Sequence, residues 1–375
     1  KPPRAAVAPD PTPAPPPAAP PTPPDAGRKL RVGMLAACPF PANHGTPGSI
    51  RELAEGVTRL GHDVHVVTYH FGENIPLRGP KLHRVPNLTG ETAVVVGPTS
   101  RRPLYDALLV AKTLQVIETE GLDLLHAHAY EAGLAAWCCR VLTGIPVLYS
   151  GHNTMADELA SYGAIKPKWV ADGLARALDA VVPRMAHRCL PHSSNIVNFF
   201  KGMGLASRTE PVIDFGIELN GPAQVDKAEV RKRFGLGDGP VVAYSGVLDR
   251  FQRIDLLLEA MAEVAWTHPT ARLAIAVTIP NAAHEAAVRE QAEQLKIADK
   301  VVLTPPLPLA GVREVLAAAD VAVVPRPQAP GFPIKLLNYM DAGKPCVLFA
   351  SSASGGMTDG ENCVLAAPDT GAALG

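Results

Sequence analysis

Short apolar runs alternate with amphipathic segments along most of this chain, and this alternation restricts the fold more than any other feature. Runs such as residues 30–37, 123–127, 272–277 and 321–324 have the length and the Val, Leu and Ala content of buried strands. The segments between them repeat their apolar residues at the helical period. Because parallel strands need a long crossover, the pattern predicts β-α-β units. We therefore expect an α/β fold of two doubly wound, Rossmann-like domains facing each other across a cleft.

Length and composition divide the chain into three parts. Residues 1–27 are rich in Pro, Ala and Thr, and such a composition cannot bury enough apolar surface to order itself, so we expect a disordered tail. The remaining length suits two domains, which we place at residues 28–210 and 211–375. Residues 210–214 are predicted as the strand that leaves the first domain, and residues 215–239 as a polar connection.

Composition also excludes several classes of function. The formal net charge of the 375 residues is -1, which does not favour a nucleic-acid partner. The six cysteines have neither CxxC nor His-Cys spacing, so we predict buried thiols in a reducing compartment and no metal site. No apolar run is long enough to cross a membrane, and the amino end lacks the apolar core of a signal peptide. We expect a cytoplasmic protein.

One lysine occupies an electrostatically unusual position near the end of the chain. Residues 325–345 read as a loop, a short helix starting at Pro333 and a stop at Gly343. Lys335 would then lie in the first helical turn, where the helix dipole repels a cation unless an anion is bound. Arg326 follows the preceding strand, at the edge where ligands collect in α/β folds. This pattern predicts a phosphate site, and a solvated lysine is the alternative.

The first predicted strand is followed by a glycine-containing loop, residues 38–48. Ser49 and Glu52 match the capping box S-x-x-E, so we predict that a helix begins at Ser49. The loop does not match G-x-G-x-x-G, which argues against a dinucleotide site. Gly45 and Gly48 would let a ligand approach the backbone closely, and an ordinary turn is the alternative.

Histidines follow two consecutive predicted strands. The strand at residues 123–127 runs into His126 and His128, and the strand at residues 146–150 is followed by His152 and Asn153. Because the carboxyl ends of parallel strands meet at one edge of a sheet, we predict that these histidines share a cleft. A purely structural role for each histidine is the alternative.

Six phrases, in order along residues 30–368, resemble glycosyltransferase family 4 of the GT-B fold. They are the loop and helix around Gly45–Gly48, RLGHDV at 59–64, HAH at 126–128, His152, YSG at 244–246 before DLLLEA at 255–260, and DAGKP at 341–345. The ordered set is more specific than any one phrase.

The resemblance implies metal-independent transfer of a sugar, with retention, from a nucleotide-sugar that serves as co-substrate in place of a cofactor. The acceptor would be a glycan, a lipid-linked sugar or a small molecule, bound by the N-terminal domain, with possible peripheral membrane contact near Trp169. The residues that would carry the chemistry are His152, Lys335 and Arg326. Donor-binding residues would be Gly45, Gly48, Gly246, Arg250, Arg253, Gly331, Phe332, Pro333, Ile334 and Asn338. His128, Asn153 and Glu158 would lie on the acceptor side.

The chain departs from the common family pattern at several positions. Pro330 and Asn338 stand where two glutamates are usual, and Val247 and Gln252 stand where an Arg and a Lys are usual. We expect a branch of the family in which Arg326 and the Pro-x-Lys at Lys335 supply the charge instead. The chain also stops sooner than the family pattern does, so we expect a C-terminally truncated form.

Two other functions fit the same residues. A GT-B nucleotide-sugar 2-epimerase would release a free nucleoside diphosphate without forming an acceptor-linked sugar. A non-catalytic nucleotide-sugar-binding or scaffold protein would bind the nucleotide and turn nothing over.

Overall fold

Twelve parallel strands form two six-stranded sheets within the residues that a computed structural model describes. Those residues are 28–42, 45–91, 99, 101–156, 159, 167–212, 216–217, 219–327, 332–353 and 357–375. All strand pairings within both sheets are parallel. The α/β class and the pair of Rossmann-like sheets are confirmed, whereas the domain bounds 28–210 and 211–375 stay predictions.

The first sheet has the strand order β3-β2-β1-β4-β5-β6. Its strands are β1 (Arg31–Ala36), β2 (Asp63–Thr68), β3 (Lys81–Arg84), β4 (Leu124–His128), β5 (Val147–Gly151) and β6 (Arg188–Pro191). The associated helices are α1 (Gly45–Arg59), α2 (Arg102–Glu120), α3 (Ala129–Thr143), α4 (Lys168–Val181) and α5 (Ser194–Gly202). The order reverses between β1 and β4, and a doubly wound sheet binds its ligands at such a switch point.

The second sheet repeats this arrangement in the order β12-β11-β10-β7-β8-β9. Its strands are β7 (Val241–Gly246), β8 (Arg272–Val277), β9 (Val301–Leu303), β10 (Val321–Val324), β11 (Cys346–Phe349) and β12 (Val364–Ala366). The helices are α6 (Lys227–Phe234), α7 (Ile254–Thr267), α8 (Ala282–Gln294), α9 (Leu309–Ala318), α10 (Lys335–Asp341) and α11 (Gly371–Leu374). The switch point lies between β7 and β10.

The central strands are apolar along their whole length because both faces of each sheet are covered. Met34 and Ala36 of β1 pack into one core cluster with Ile50 of α1, whereas Leu35 packs with Leu109 of α2 on the other face. A strand buried on both faces reads as a continuous apolar run. For this reason the sequence predicts β8 and β10 with the bounds that are observed.

Two predicted helix starts are wrong. Helix α1 begins at Gly45, four residues before Ser49, and the Ser49 hydroxyl donates to the Thr46 carbonyl oxygen at 2.9 Å instead of capping the helix. Pro47 is tolerated there because the first-turn amides have no helical partner. Helix α10 begins at Lys335 rather than at Pro333.

The predictions for the segment between the sheets also need correction. Residues 210–212 form no strand; a single bridge joins Thr209 to Cys189, and residues 213–214 lie outside the described part of the chain. The predicted polar connection contains helix α6, whose first amides donate to the Asp226 carboxylate and which ends at Gly235 in the left-handed conformation. The predicted tail, residues 1–27, lies outside the described residues.

The six cysteines are free. Four of them are buried, and Cys38 and Cys138 are partly buried. Their placement as small apolar groups in the two cores agrees with the expectation from their spacing.

Candidate active site

Four buried histidines gather where the first sheet ends. His126 and His128 lie on β4, His152 follows β5, and His192 follows β6. The His128 Nδ1 and His152 Nε2 atoms are 3.3 Å apart, and the rings of His152 and His192 have centroids 4.9 Å apart. The predicted meeting of His128 and His152 is therefore observed, and His126 and His192 extend the cluster.

Burial keeps His126, His128 and His152 uncharged. It lowers the pKa of His126 to about 3 and the pKa values of His128 and His152 well below the usual 6.5, and the neighbouring histidines lower them further. The Nε2 atom of His126 instead pairs with the Ser150 hydroxyl at 2.7 Å. At neutral pH the site therefore offers neutral imidazoles, which can exchange hydrogen bonds with sugar hydroxyls but do not attract phosphates.

The chain after His152 is held by a carboxylate that the sequence analysis missed. Asp179, a buried residue of α4, accepts hydrogen bonds from the Met155 amide at 2.8 Å and the Ala156 amide at 3.0 Å. It also accepts one from the Tyr130 hydroxyl. Asp179 falls on the buried stripe of α4 with Ala171 and Ala175, so an acid among small apolar residues at helical spacing was the available signal.

The other residues predicted on the first domain are placed as follows. Gly45, with φ of +49°, begins α1, and Gly48 lies within its first turn. The position where a Cβ of Gly45 would lie is open, so a ligand could approach the backbone there. Asn153 is partly buried, and its carbonyl oxygen is 3.3 Å from the Tyr130 hydroxyl. Glu158 lies outside the described residues.

Lys335 reaches across from α10 to the end of β7. Its Nζ donates to the Tyr244 hydroxyl at 2.7 Å and to Gln252 Oε1 at 2.8 Å, and lies 4.0 Å from the centroid of the Tyr244 ring. Gly246 makes room for it, because a Cβ there would lie 3.0 Å from Nζ. Burial lowers the pKa of Lys335 well below its usual value, Arg326 lowers it further, and Asp249 opposes the shift.

Arg326 provides a second cation at the same sheet edge. It follows β10, is only 8% exposed, and stacks its guanidinium over the Phe251 ring at 4.5 Å. Its effect on the pKa of Lys335 shows that the two positive charges lie within electrostatic reach of each other. A pair of neighbouring cations is stabilised when an anion lies between them.

The remaining predicted donor residues lie in the turn after β7 and around the start of α10. Arg250 is exposed, and Arg253 is turned away into an ion pair with Asp255, whose carboxylate lies 2.8 Å from its Nη2. Gly331 lies outside the described residues. The other four flank or belong to α10: Phe332, Pro333, Ile334 and Asn338. The Leu336 and Leu337 amides already donate to the Pro333 and Ile334 carbonyl oxygens. These two amides are therefore not open to an anion, and the cationic side chains would be its main hydrogen-bond donors.

Three further residues shape this edge without having been predicted. The Tyr339 hydroxyl accepts from the Ser245 amide at 2.9 Å and so fixes α10 against β7. Asp249 accepts from the Gln252 amide at 2.9 Å and holds the turn that presents Gln252. The ring of Tyr244 packs against the ammonium of Lys335. The contact between Tyr339 and Ser245 joins residues 94 positions apart, so no local pattern indicates it. Asp249 lies three residues before Gln252, and an Asp at that spacing before a turn was an available local signal.

Comparison with known proteins agrees with this arrangement. A family model described as Glycosyltransferase Family 4 matches residues 45–219, and one described as Glycosyl transferases group 1 matches residues 239–375. The chain is a glycosyltransferase with a family 4 domain followed by a group 1 domain. The first match includes strands β2 to β6 of the first sheet, the second includes all six strands of the second sheet, and together they account for the order of the phrases on which the resemblance rests.

Curated relatives support this assignment, and solved structures support the fold. The glycosyltransferase is 27% identical over 339 residues to D-inositol 3-phosphate glycosyltransferase of Acidothermus cellulolyticus, covering 84% of this chain and 73% of the relative. It superposes on sucrose-phosphate synthase from Thermosynechococcus elongatus with a TM-score of 0.76 at 19% identity, over 92% and 88% of the two chains. Anabaena HepE in complex with UDP and glucose gives a TM-score of 0.69 at 19% identity, over the same shares.

None of the described helices of the glycosyltransferase combines the length and the apolar character that crossing a membrane requires. Trp169, at the start of α4, is 74% exposed.

Proposed function

We propose that this glycosyltransferase binds the diphosphate of a nucleotide-sugar between Lys335 and Arg326 and transfers the sugar, with retention and without a metal ion, to a hydroxyl of the acceptor. The observation that carries the proposal is the hydrogen bonding of Lys335. Among the described residues its ammonium is bonded only to neutral groups, Tyr244 and Gln252, while Arg326 lies near it. Two neighbouring cations without an ion-paired carboxylate at Lys335 suit an anionic ligand.

The depressed pKa of Lys335 supports the same proposal. A diphosphate would replace the unfavourable burial and the repulsion from Arg326 with charge-assisted hydrogen bonds, so its binding should raise the pKa of Lys335. Charge that develops on the leaving diphosphate would then meet a preorganised pair of cations. These cations would neutralise the negative charge of the leaving diphosphate, which a divalent ion does in other sugar transfers.

The neutral histidines suit a role in holding the transferred sugar. Since the pKa of His152 is well below its usual value, this imidazole is a weak base at neutral pH. We propose that His152 orients the sugar by hydrogen bonding and that the departing phosphate accepts the acceptor's proton. Such a departure and attack on one face retains the anomeric configuration, which NMR of the product would report.

The relatives indicate which acceptor to test first. Several of them carry the name D-inositol 3-phosphate glycosyltransferase, at 25–28% identity. Inositol 3-phosphate is therefore the first acceptor to offer, and unphosphorylated inositol is its matched control. A lipid-linked sugar and a glycan follow as further acceptors.

The phosphate site can be tested by calorimetric titration with UDP, GDP and ADP. We expect one nucleotide to bind, and Lys335→Ala to weaken it by roughly 10- to 100-fold, the contribution of one charge-assisted hydrogen bond. Lys344→Ala is the matched control, because Lys344 is also a partly buried lysine of this domain but donates to the Ala317 and Ala319 carbonyls. Equal affinity in the Lys335 and Lys344 variants would refute the assignment.

A charge exchange provides a second, independent test. Lys335 Nζ and Gln252 Oε1 are 2.8 Å apart, so the double variant Lys335→Gln with Gln252→Lys would return an ammonium to within about one hydrogen-bond length of its present position. We expect the double variant to bind the nucleotide at least roughly tenfold more tightly than Lys335→Gln does. A double variant no better than Lys335→Gln would show that the ammonium's position is not what the nucleotide recognises.

Product analysis separates the proposed transfer from its alternatives. With nucleotide-sugar and acceptor together, transfer produces a glycosylated acceptor and a nucleoside diphosphate in equal amounts. Nucleoside diphosphate without a glycosylated acceptor would favour the 2-epimerase. Nucleotide binding without turnover would favour the scaffold protein.

A further inference from the structure

A cluster of side chains of the kinds that bind metals lies on the first sheet, away from the carboxyl ends of its strands and apart from the four histidines of the candidate active site. It consists of His65 on β2, His83 on β3 and Glu120, the last residue of α2. His65 is fully buried and the other two side chains are partly buried. We call these three residues the edge cluster.

The donor atoms of the edge cluster converge on one point. His65 Nδ1 is 3.0 Å from His83 Nε2 and 3.7 Å from Glu120 Oε2, and all three atoms lie within 4.8 Å of one another. A point equidistant from three atoms with these separations is about 2.4 Å or less from each of them, close to the roughly 2.0–2.2 Å of zinc bonds to imidazole and carboxylate. A small rotation of the two rings would complete the fit.

A carboxylate lies beside the ring nitrogen of His65 that faces away from the common point, as is usual for imidazoles that bind metals. Its other ring nitrogen, Nε2, is 3.6 Å from Asp63 Oδ2 and has no hydrogen-bond partner within the described residues. A carboxylate on that side favours the tautomer with the proton on Nε2, which leaves the Nδ1 lone pair directed into the edge cluster. Asp63, His65 and the common point are thus arranged in the carboxylate–histidine–metal order, and Asp63 would complete it by moving about 0.5 Å closer to Nε2.

The charges around the edge cluster also suit a cation. Glu120 forms an ion pair with Lys81, whose Nζ is 3.2 Å from Glu120 Oε2 and 3.8 Å from Asp63 Oδ2. Lys81 is half exposed, so its ammonium can move into solvent when a metal ion replaces it.

We propose that His65, His83 and Glu120 bind a zinc ion, with water as the fourth ligand, and that this ion fastens the edge strand β3 to β2 and to the end of α2. The site lies toward the start of β2, whereas the sugar-transfer site lies at the strand carboxyl ends. The proposal is therefore structural and independent of the proposed function.

Equilibrium dialysis against zinc, with metal analysis of the protein, tests the site. We expect one zinc ion per chain, and affinity at least roughly tenfold lower in both His83→Gln and Glu120→Gln. Lys81→Met should bind zinc more tightly than the wild type, because it removes the competing ammonium. Cobalt substitution should give the intense visible absorption of a tetrahedral site.

The matched control is His268→Gln, which changes an exposed histidine of the second domain and should leave zinc binding unchanged. Two results would overturn the proposal. One is equal zinc affinity in the wild type, His83→Gln and Glu120→Gln. The other is zinc binding that is lost in His126→Gln and kept in His83→Gln, which would move the metal to the histidines after β4. Glu120 lies at a helix end, so its variant keeps the test valid if His83→Gln does not fold.

Discussion

Acidification should destabilise the first domain more steeply than its exposed groups can explain. His126, His128 and His152 are buried and neutral, and burial lowers the pKa of His126 to about 3 and the other two well below 6.5. In the unfolded chain the same side chains bind protons near 6.5. Below that pH the unfolded state therefore holds more protons than the folded state, so the free energy of unfolding falls as pH falls.

The size of the effect follows from the number of histidines. Each imidazole that stays neutral in the folded state lowers the free energy of unfolding by about 1.4 kcal/mol between about pH 7.5 and about pH 5.5. The three together should lower it by about 4 kcal/mol, a large part of the stability of an ordinary domain. The loss should continue downward until the folded-state pKa values are reached, near 3 for His126.

Tryptophan fluorescence in urea can report this domain separately. Trp137 and Trp169 lie on α3 and α4, whereas the third tryptophan, Trp266, is 87% exposed on α7 and can be replaced by Phe. We would measure the free energy of unfolding at three pH values between about 5.5 and 7.5, a range chosen because most carboxylates stay ionised there.

Variants decide whether the buried histidines cause the loss. His126→Gln should reduce the drop between the two pH limits by about one third, or about 1.4 kcal/mol. His268→Gln, at an exposed position, should leave the drop unchanged. An unchanged drop in His126→Gln, or a wild-type drop below about 1.5 kcal/mol, would show that these imidazoles do not stay neutral when folded.

Two more substitutions test how the site is held. Asp179→Asn should destabilise the first domain by about 1–3 kcal/mol, because the Met155 and Ala156 amides lose a charged acceptor. Urea unfolding measures the loss, and Asp172→Asn on the same helix is the control. Gly246→Ala should weaken nucleotide binding at least roughly tenfold in calorimetry, because φ is +141° and the new Cβ would press on Lys335 Nζ; Gly173→Ala, where a Cβ meets nothing, should leave it unchanged.

The strands were predictable because of where they lie. A strand covered on both faces must be apolar throughout, so β8 and β10 can be read from the sequence alone. The start of α1 was harder, because glycine and proline are typical of loops and yet are tolerated in a first helical turn. Helix α6 was missed because only Val230 among its residues is buried, so it has little apolar periodicity to detect.

The candidate site was predictable only in part, for a related reason. His128 and His152 follow strands, and strand ends meet at a sheet edge whatever the details of packing. His192 also follows a strand, so the same rule could have found it. The contact between Lys335 and Gln252 could not be predicted, because it joins residues 83 positions apart through the packing of α10 on β7.

That contact gives a physical reason for the departures from the usual family pattern. A second ammonium at position 252 would lie against Lys335 Nζ, which is 2.8 Å from Gln252 Oε1, and two such charges repel each other strongly in a buried setting. A neutral acceptor at 252 is therefore what a lysine arriving from α10 requires. We propose that the positive charge which the resemblance places in the loop after β7 is supplied here by Lys335 of α10. The exchange variant tests whether the nucleotide distinguishes a lysine at position 252 from one at position 335.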